Sequence, residues 1–182
     1  MRAYKDAVAG LVDHAVHRHG GTVTFISTCQ GVPEYAYDDS AVASEIVDRL
    51  SDDVRARVSV DSDFHRPEDL LRRLSEFDLV VATRMHVAIL ALAAGTPVIT
   101  ISYEFKTRSL FERLGMGEFV HDIESVSASE LGRSLDHFLE ALPTMRREFA
   151  SAVESERRRG AAAEEYLDAV RHTLMDQQEA AN

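Results

Sequence analysis

The fold of this chain is decided by one stretch, residues 78–106, which reads DLVVATRMHVAILALAAGTPVITISYEFK. Its first part, residues 79–82, is a short apolar run of the kind found in strands that are buried on both faces. Residues 87–94 are apolar all round, which predicts a deeply packed helix, and Gly95 is placed to end it. Residues 98–101 predict a second buried strand. A strand, a helix and a strand this close together indicate one right-handed βαβ unit of a parallel sheet.

Two charged residues, Arg84 and His86, lie where the first of these strands leads into the helix. Thr83 is positioned to cap that helix by accepting a hydrogen bond from an amide of the first turn. In open α/β sheets, ligands bind beyond the carboxyl ends of the strands, and this joint is expected at such an end. The sequence therefore predicts a ligand-binding edge that contains Arg84 and His86.

Predicted helices and strands also alternate along the rest of the chain. Further strands are expected at 22–28, 56–60 and 119–120, with helices before, between and after them. This alternation predicts an α/β fold, a Rossmann-like three-layer sandwich with about five parallel strands in the order 2-1-3-4-5. We expect one lobe over residues 1–142 and a helical extension over 143–182 that packs partly on the lobe.

The composition is that of an acidic protein. The chain has 182 residues, with 31 acidic against 20 basic side chains and a formal net charge of -11. This balance argues against a surface for nucleic acid or for an anionic membrane. The longest apolar run is too short to span a bilayer, and the first residues lack the features of a signal peptide. The single cysteine fits a reducing compartment, so we expect a cytoplasmic protein without an integral membrane segment.

No group of cysteine and histidine residues has the spacing of a metal site, and we expect neither a metal nor another cofactor. The nearest approach to such a site is His14, His17 and His19, of which His14 and His17 share a helix face. Without a nearby cysteine or pair of carboxylates, this face is interpreted as a solvent-exposed side of the helix.

Three loops are expected at the ligand-binding edge, at residues 28–39, 82–86 and 102–108. They carry the polar residues Gln30, Tyr35, Asp39, Arg84, His86, Tyr103, Lys106 and Arg108. An arginine and a lysine beside the amino terminus of a helix predict an anion site, because the positive end of the helix dipole adds to the side-chain charges.

These residues also have plainer interpretations. Arg84 could pair with an acid such as Asp78 or Glu104, and His86 could be a core histidine that is hydrogen-bonded to the backbone. The basic residues after the second strand could be solvated. Their joint position at the ligand-binding edge of one sheet favours a site.

Residues 82–116, ATRMHVAILALAAGTPVITISYEFKTRSLFERLGM, resemble the characteristic stretch of the polysaccharide pyruvyl transferase family. Residues 23–50, VTFISTCQGVPEYAYDDSAVASEIVDRL, are similar to the strand, loop and helix that precede it in that family. The resemblance covers roughly residues 1–142. It implies a GT-B-like fold of two Rossmann-type lobes, of which this chain holds the carboxy-terminal one. A separate amino-terminal lobe or a homo-oligomer is the partner expected on this basis.

The resemblance also implies an activity. Enzymes of this family transfer the enolpyruvyl unit of phosphoenolpyruvate to a sugar, usually leaving a pyruvate ketal on a cell-surface polysaccharide or glycan precursor. The Arg-x-His pair of the family matches Arg84 and His86, the predicted catalytic residues, and the lysine after its next strand matches Lys106. The predicted substrate-binding set is completed by residues of the same loops, Arg108, Gln30 and Tyr103.

The chemistry of this reaction suits these residue types. A proton must reach the methylene carbon of the enol while a sugar hydroxyl attacks the adjacent carbon. His86 is a natural acid near neutral pH, and positioned proton transfer contributes about 10²–10⁴ in rate. A bound phosphate would favour its protonated form. Arg84 would hold phosphate or carboxylate in a fork, and Lys106 would add a point charge.

Two alternative functions remain open at this point. The first is a lobe of a nucleotide-sugar glycosyltransferase or epimerase, because LALAAGTPVI at residues 90–99 resembles a glutamate-containing segment of those proteins. Leu90 stands where they carry a glutamate that contacts the nucleotide. The second is a non-catalytic or partner-dependent lobe, because the other wall of the cleft is not in this chain.

Overall fold

The structure, a computed structural model, describes residues 2–29 and 38–180. Within these ranges, the structure contains five strands and eight α-helices, and all of them except the one-turn helix α3 are predicted by the sequence. The elements are α1 (Arg2–His19), β1 (Val23–Ile26), α2 (Asp39–Val47), α3 (Asp52–Arg55), β2 (Val58–Asp61), α4 (Pro67–Leu74), β3 (Val80–Ala82), α5 (Met85–Ala93), β4 (Val98–Ser102), α6 (Phe105–Arg113), β5 (Val120–Asp122), α7 (Ala128–Glu140) and α8 (Leu142–Ala180).

All five strands are parallel, but they form two sheets rather than one. β1 pairs with β2, and β4 lies between β3 and β5. The Rossmann-like α/β class and the neighbour relations 2-1 and 3-4-5 are therefore confirmed. The predicted pairing of β1 with β3 is wrong for the described residues, because a cleft lined by side chains of both strands separates them.

Helices cover the strands on both faces. α1 packs against α2 and α7 in one layer, while α5 packs against α4 and α8 in the other. α6 joins the second layer, where Arg113 forms an ion pair of 3.3 Å with Glu156 of α8. The crossover from β1 to β2 and the crossover from β3 to β4 thus use opposite layers, as in doubly wound sheets.

The core under the three-stranded sheet includes an aromatic group that anchors α8. The ring centroids of Phe119 and Phe138 lie 4.9 Å apart, and those of Phe138 and Phe149 lie 5.5 Å apart. Phe149 is buried, so the first part of α8 belongs to this core. Further along α8, the Arg157 guanidinium donates a hydrogen bond of 3.4 Å to the Ala93 carbonyl at the end of α5. A domain boundary after residue 142 stays a prediction.

The two helices at the predicted ligand-binding edge begin differently from expectation. The N-cap of α5 is Arg84 and not Thr83, and the Arg84 side chain makes no capping bond. α6 begins at Phe105, so Lys106 and Arg108 lie in a helix rather than in a loop. The turn before α6 is short because the hydroxyl of Ser102 donates to the Glu104 carbonyl and accepts from the Glu104 amide.

Burial of the central βαβ unit is less complete than its apolar sequence predicts. Val81 of β3 is 38% exposed because it faces the cleft, and Ile89 of α5 is 40% exposed. Gly95 ends α5 as predicted, with a φ of 81° that an L side chain rarely adopts. No described helix is both long enough and apolar enough to cross a membrane.

Candidate functional site

The carboxyl ends of β3 and β4 lead directly into α5 and α6, whose amino termini lack side-chain caps. The N-cap residues, Arg84 and Glu104, make no bond to the first turns, and neither first turn contains an acid. By contrast, Asp38 caps α2 and Ser127 caps α7. The first-turn amides of α5 and α6 therefore present partial positive charge at one edge, which is suited to an anion.

Arg84 is held at this edge by Asp39, the first residue of α2. The Arg84 Nη2 and Asp39 Oδ1 atoms lie 2.7 Å apart, and the Arg84 Nε and Asp39 Oδ2 atoms lie 3.0 Å apart. Such a two-point contact fixes the orientation of a guanidinium as well as its position. The remaining nitrogen, Nη1, donates no hydrogen bond to the residues that the structure describes, so it can meet a ligand.

Asp39 is itself fixed by the chain that follows β1. Its Oδ2 atom accepts hydrogen bonds from the amides of Thr28, at 3.1 Å, and Cys29, at 2.9 Å. Burial pushes the pKa of Asp39 up, but the hydrogen bond and charge of Arg84 outweigh this effect and hold the pKa below its usual value. The same contact raises the pKa of Arg84. The ion pair therefore persists at ordinary pH and links the end of β1 to the start of α5.

The interpretation that Arg84 pairs with an acid is thus confirmed, but neither Asp78 nor Glu104 is the acid. Asp78 precedes β3, at the opposite end of that strand from Arg84, and it binds Arg146 of α8 at 3.1 Å. Asp39 is 45 residues away in sequence. Only the tertiary arrangement that places the start of α2 near the start of α5 brings this carboxylate to Arg84.

Tyr4 and Thr83 extend the site on the side of α1. Both residues line the cleft, and burial raises the pKa of the Tyr4 hydroxyl, an effect that the nearby Thr83 side chain partly offsets. The sequence carries no signal for this contact, because Tyr4 reads only as one residue of an amphipathic helix. Thr83, expected as a helix cap, instead contacts α1 at the start of that helix.

Four of the predicted catalytic and binding residues fall into two groups, those that line the cleft and those in the first turns of α5 and α6. Tyr103 lines the same cleft as Arg84 and is 55% exposed. His86 and Lys106 are both exposed and occupy equivalent places, the second residues of α5 and α6. Because α5 and α6 follow neighbouring parallel strands, these two first turns lie at the same edge of the sheet. The interpretation of His86 as a core histidine is therefore wrong.

Two predicted site residues are not placed at this corner. The Arg108 guanidinium is half-buried and donates to the Val120 carbonyl of β5, with a nitrogen-to-oxygen distance of 3.4 Å. Gln30, together with Tyr35, lies outside the described residues. The structure thus brings Arg84, Asp39 and Tyr103 together, with His86 and Lys106 on the adjoining first turns.

A cluster of possible metal ligands lies elsewhere, at the carboxyl end of α1. The ligand atoms of His14, His19 and Asp136 are all within 4.8 Å of one another. The sequence predicts a solvent-exposed helix face here, whereas Asp136 of α7 accepts a hydrogen bond of 2.7 Å from each of these two imidazoles. The Arg18 guanidinium also binds Asp136, at 3.1 Å, and its charge opposes a cation. We interpret the cluster as a link between α1 and α7.

This cluster makes the stability of the folded protein depend on pH in the acidic range. Hydrogen bonds from His14 and His19 outweigh the opposing effect of burial and lower the pKa of Asp136 to about 2 in the folded protein. Its stabilising contribution is therefore present above the ordinary carboxyl pKa of about 4 and is lost as the pH falls towards about 2. We expect Asp136→Asn to lower the urea midpoint most near neutral pH, with the difference narrowing below about pH 4.

The matched control for this variant is Asp63→Asn, because Asp63 is exposed and its carboxylate makes no ion pair among the described residues. Urea unfolding of the three proteins is followed across the pH range. A constant difference between Asp136→Asn and the unchanged protein at all pH values would show that the Asp136 carboxylate does not make this contribution.

Comparison with known proteins adds independent information. The family model described as polysaccharide pyruvyl transferase matches residues 2–104, a range that contains Asp39, Arg84 and His86. The chain is also 32% identical over 148 residues to the amylovoran biosynthesis protein AmsJ of Erwinia amylovora. That match covers 81% of this chain but only 35% of AmsJ, so the chain spans about a third of this relative's length. No solved structure matches the chain.

Proposed function

Because the chain belongs to the polysaccharide pyruvyl transferase family, we propose that it supplies the lobe that binds phosphoenolpyruvate in an enzyme of polysaccharide biosynthesis. The enzyme would transfer the pyruvyl group of this donor to a sugar of a cell-surface polysaccharide or glycan precursor. The observation that carries the proposal is the uncapped edge formed by α5 and α6, with Arg84 held by Asp39 between this edge and the cleft.

The charges of the donor match this edge. Phosphoenolpyruvate carries a phosphate and a carboxylate on neighbouring atoms, so it needs several donors that converge from different directions. The first-turn amides of α5 and α6 can donate hydrogen bonds to one anionic group. The Arg84 Nη1 atom can reach an oxygen of the same ligand. Lys106 adds a mobile positive charge from the first turn of α6, and Tyr103 borders the cleft beside Arg84.

The proposed reaction balances with groups of the donor and acceptor alone. One sugar hydroxyl adds to the enol carbon that bears the phosphate, and the methylene carbon gains a proton and becomes a methyl group. The second hydroxyl then displaces the phosphate, which leaves with the other hydroxyl proton as hydrogen phosphate. His86 is the proposed acid for the methylene carbon, because its imidazole is exposed at the same first turn that would hold the donor.

The acceptor would need a second wall for the site. The length of AmsJ that this chain does not cover is consistent with a further lobe, as the two-lobe architecture of the family implies. We therefore propose that catalysis requires an amino-terminal lobe, and that the enzyme acts in the cytoplasm, where phosphoenolpyruvate is made. A non-catalytic lobe that only binds a partner is the second candidate, and the limited coverage of AmsJ favours it over a nucleotide-sugar enzyme.

Thermal unfolding in the presence of ligands tests the proposed donor. We expect phosphoenolpyruvate to raise the unfolding temperature of the chain with increasing concentration, since a ligand that binds only the folded state stabilises it. Arg84→Gln should remove this effect. Arg113→Gln, on the opposite end of α6, is the matched control and should retain it. Stabilisation by uridine diphosphate glucose and not by phosphoenolpyruvate would replace the proposal with a nucleotide-sugar function.

A further inference from the structure

A cleft between the two sheets has a volume of about 660 Å³. Side chains of β1 form one wall, and Val81 of β3 stands on the other. Apolar residues of α1, α2 and α7 cover it, among them Val8, Leu11, Ile46 and Leu135. Apart from Asp39, Arg84 and Tyr103 at one end of the cleft, such a lining does not suit the charged donor proposed above, which needs polar partners. The cleft is therefore suited to an apolar occupant.

The backbone on both sides of the cleft has hydrogen-bonding groups to offer. The amides of Val23 and Ser27 donate to the β2 side, and the amide of Val80 donates to Pro97 beside β4. In a parallel ladder, alternate residues direct their peptide groups to opposite sides of the strand. The peptide groups of Thr24, Ile26 and Val81 are consequently directed into the cleft. Two parallel strand edges thus face each other across an apolar space.

The length of the cleft matches a strand. Its lining runs along α1 from Tyr4 to Ala15, which corresponds to about 16 Å at the helical rise of 1.5 Å per residue. A strand that rises about 3.3 Å per residue covers this length with about five residues. A small ligand would not need both strand edges and three turns of a helix. An extended peptide would use both strand edges and all three helical turns.

The topology also requires a strand at this place. Helices α1 and α2 lie in the same layer, and α2 carries the chain from β1 outwards to β2. A parallel strand in the cleft, followed by α1 and then β1, would repeat this crossover in the same direction and with the same hand. It would complete a sheet of the order 3-2-1-4-5-6, with the change of direction at its centre. The start of α1, where Tyr4 meets Thr83, already lies at the edge where such a strand would end.

We propose that the cleft binds an extended apolar strand from the polypeptide that carries the other lobe, running parallel to β1 and β3. The strand has about five residues, apolar on both faces because helices cover both. It ends beneath the Asp39–Arg84 ion pair, which already connects the two sheets at that edge. The same strand would therefore complete the sheet of this lobe and the edge that carries the Asp39–Arg84 ion pair.

This inference is independent of the donor proposed above, because its test reads backbone protection without phosphoenolpyruvate. Residue-resolved hydrogen exchange of the isolated chain should show fast exchange at the amides of Thr24, Ile26 and Val81. The alternate amides of Val23, Phe25 and Val80 should be protected in the same sample and serve as internal controls. Equal protection of both sets at all protein concentrations would show that β1 and β3 pair directly, which would overturn the proposal.

The occupant is tested with a synthetic apolar peptide of five residues, chosen from overlapping peptides that cover the unmatched part of AmsJ. At a concentration of 100 times its dissociation constant, exchange at the cleft-facing amides should slow about 100-fold. A peptide with proline at its central residue, which lacks an amide hydrogen, is the matched control and should give little protection. Protection that appears without peptide and disappears on dilution would assign the cleft to a second copy of the chain. Lack of protection by the peptide, or equal protection by its proline variant, would also overturn the proposal.

Discussion

Replacing Arg84 by lysine in an enzyme that contains both lobes is expected to lower kcat/KM for phosphoenolpyruvate by about 10²–10³, the usual consequence of losing one fixed donor to a developing charge. Lysine keeps the positive charge, but it cannot make two contacts with Asp39 and still present a third nitrogen to the donor. The loss of kcat/KM would therefore arise from the positions of the guanidinium nitrogens and not from a loss of charge. It is measured as the rate of phosphate release with a saturating sugar acceptor.

The control for Arg84→Lys is Arg113→Lys, which changes the same side-chain chemistry at the far end of α6. Asp39→Asn should act in the same direction as Arg84→Lys, because an amide does not supply the charge that holds the guanidinium. If Arg84→Lys retained the kcat/KM of the unchanged enzyme, the proposed fork between Asp39 and the donor would be wrong.

His86→Ala is expected to lower kcat by about 10²–10⁴, the range for loss of a positioned acid. The fold should be unaffected, because the imidazole is exposed and makes no hydrogen bond within the described parts of the chain. The pH profile of kcat should also lose the limb that belongs to the acid. Phosphate release across the pH range, together with urea unfolding of the variant, measures both effects.

His17→Ala is the matched control for this variant, since His17 is an exposed histidine near the carboxyl end of α1, away from the proposed donor edge. It should leave kcat and its pH profile unchanged. A His86→Ala enzyme with an unaltered pH profile would show that another group protonates the methylene carbon, even if its kcat were reduced.

The sequence was sufficient for those parts of the fold that depend on local patterns. The apolar run before Arg84 and the glycine at position 95 each mark an element that the structure contains. These signals are reliable because strand burial and a left-handed helix end are decided by a few neighbouring residues. α3 was missed because a helix of one turn has too few residues for a periodic pattern.

The sequence was insufficient where a contact depends on distant elements. Nothing near Arg84 indicates that Asp39 is its partner, because the contact depends on how the start of α2 lies relative to the start of α5. The gap between the sheets was also missed, since β1 and β3 have the apolar composition of paired strands. Their incomplete burial is visible only in three dimensions, and it points to a strand from outside the chain.

The central claim is that the uncapped amino termini of α5 and α6 bind the phosphorylated donor beside Arg84. It is tested most directly by nuclear magnetic resonance of backbone amides during a titration with phosphoenolpyruvate. We predict shifts for the first turns beginning at Met85 and Phe105, reduced in Arg84→Lys, with no shift at the Ser127-capped start of α7. Shifts of equal size at α7, or none at α5 and α6, would contradict it.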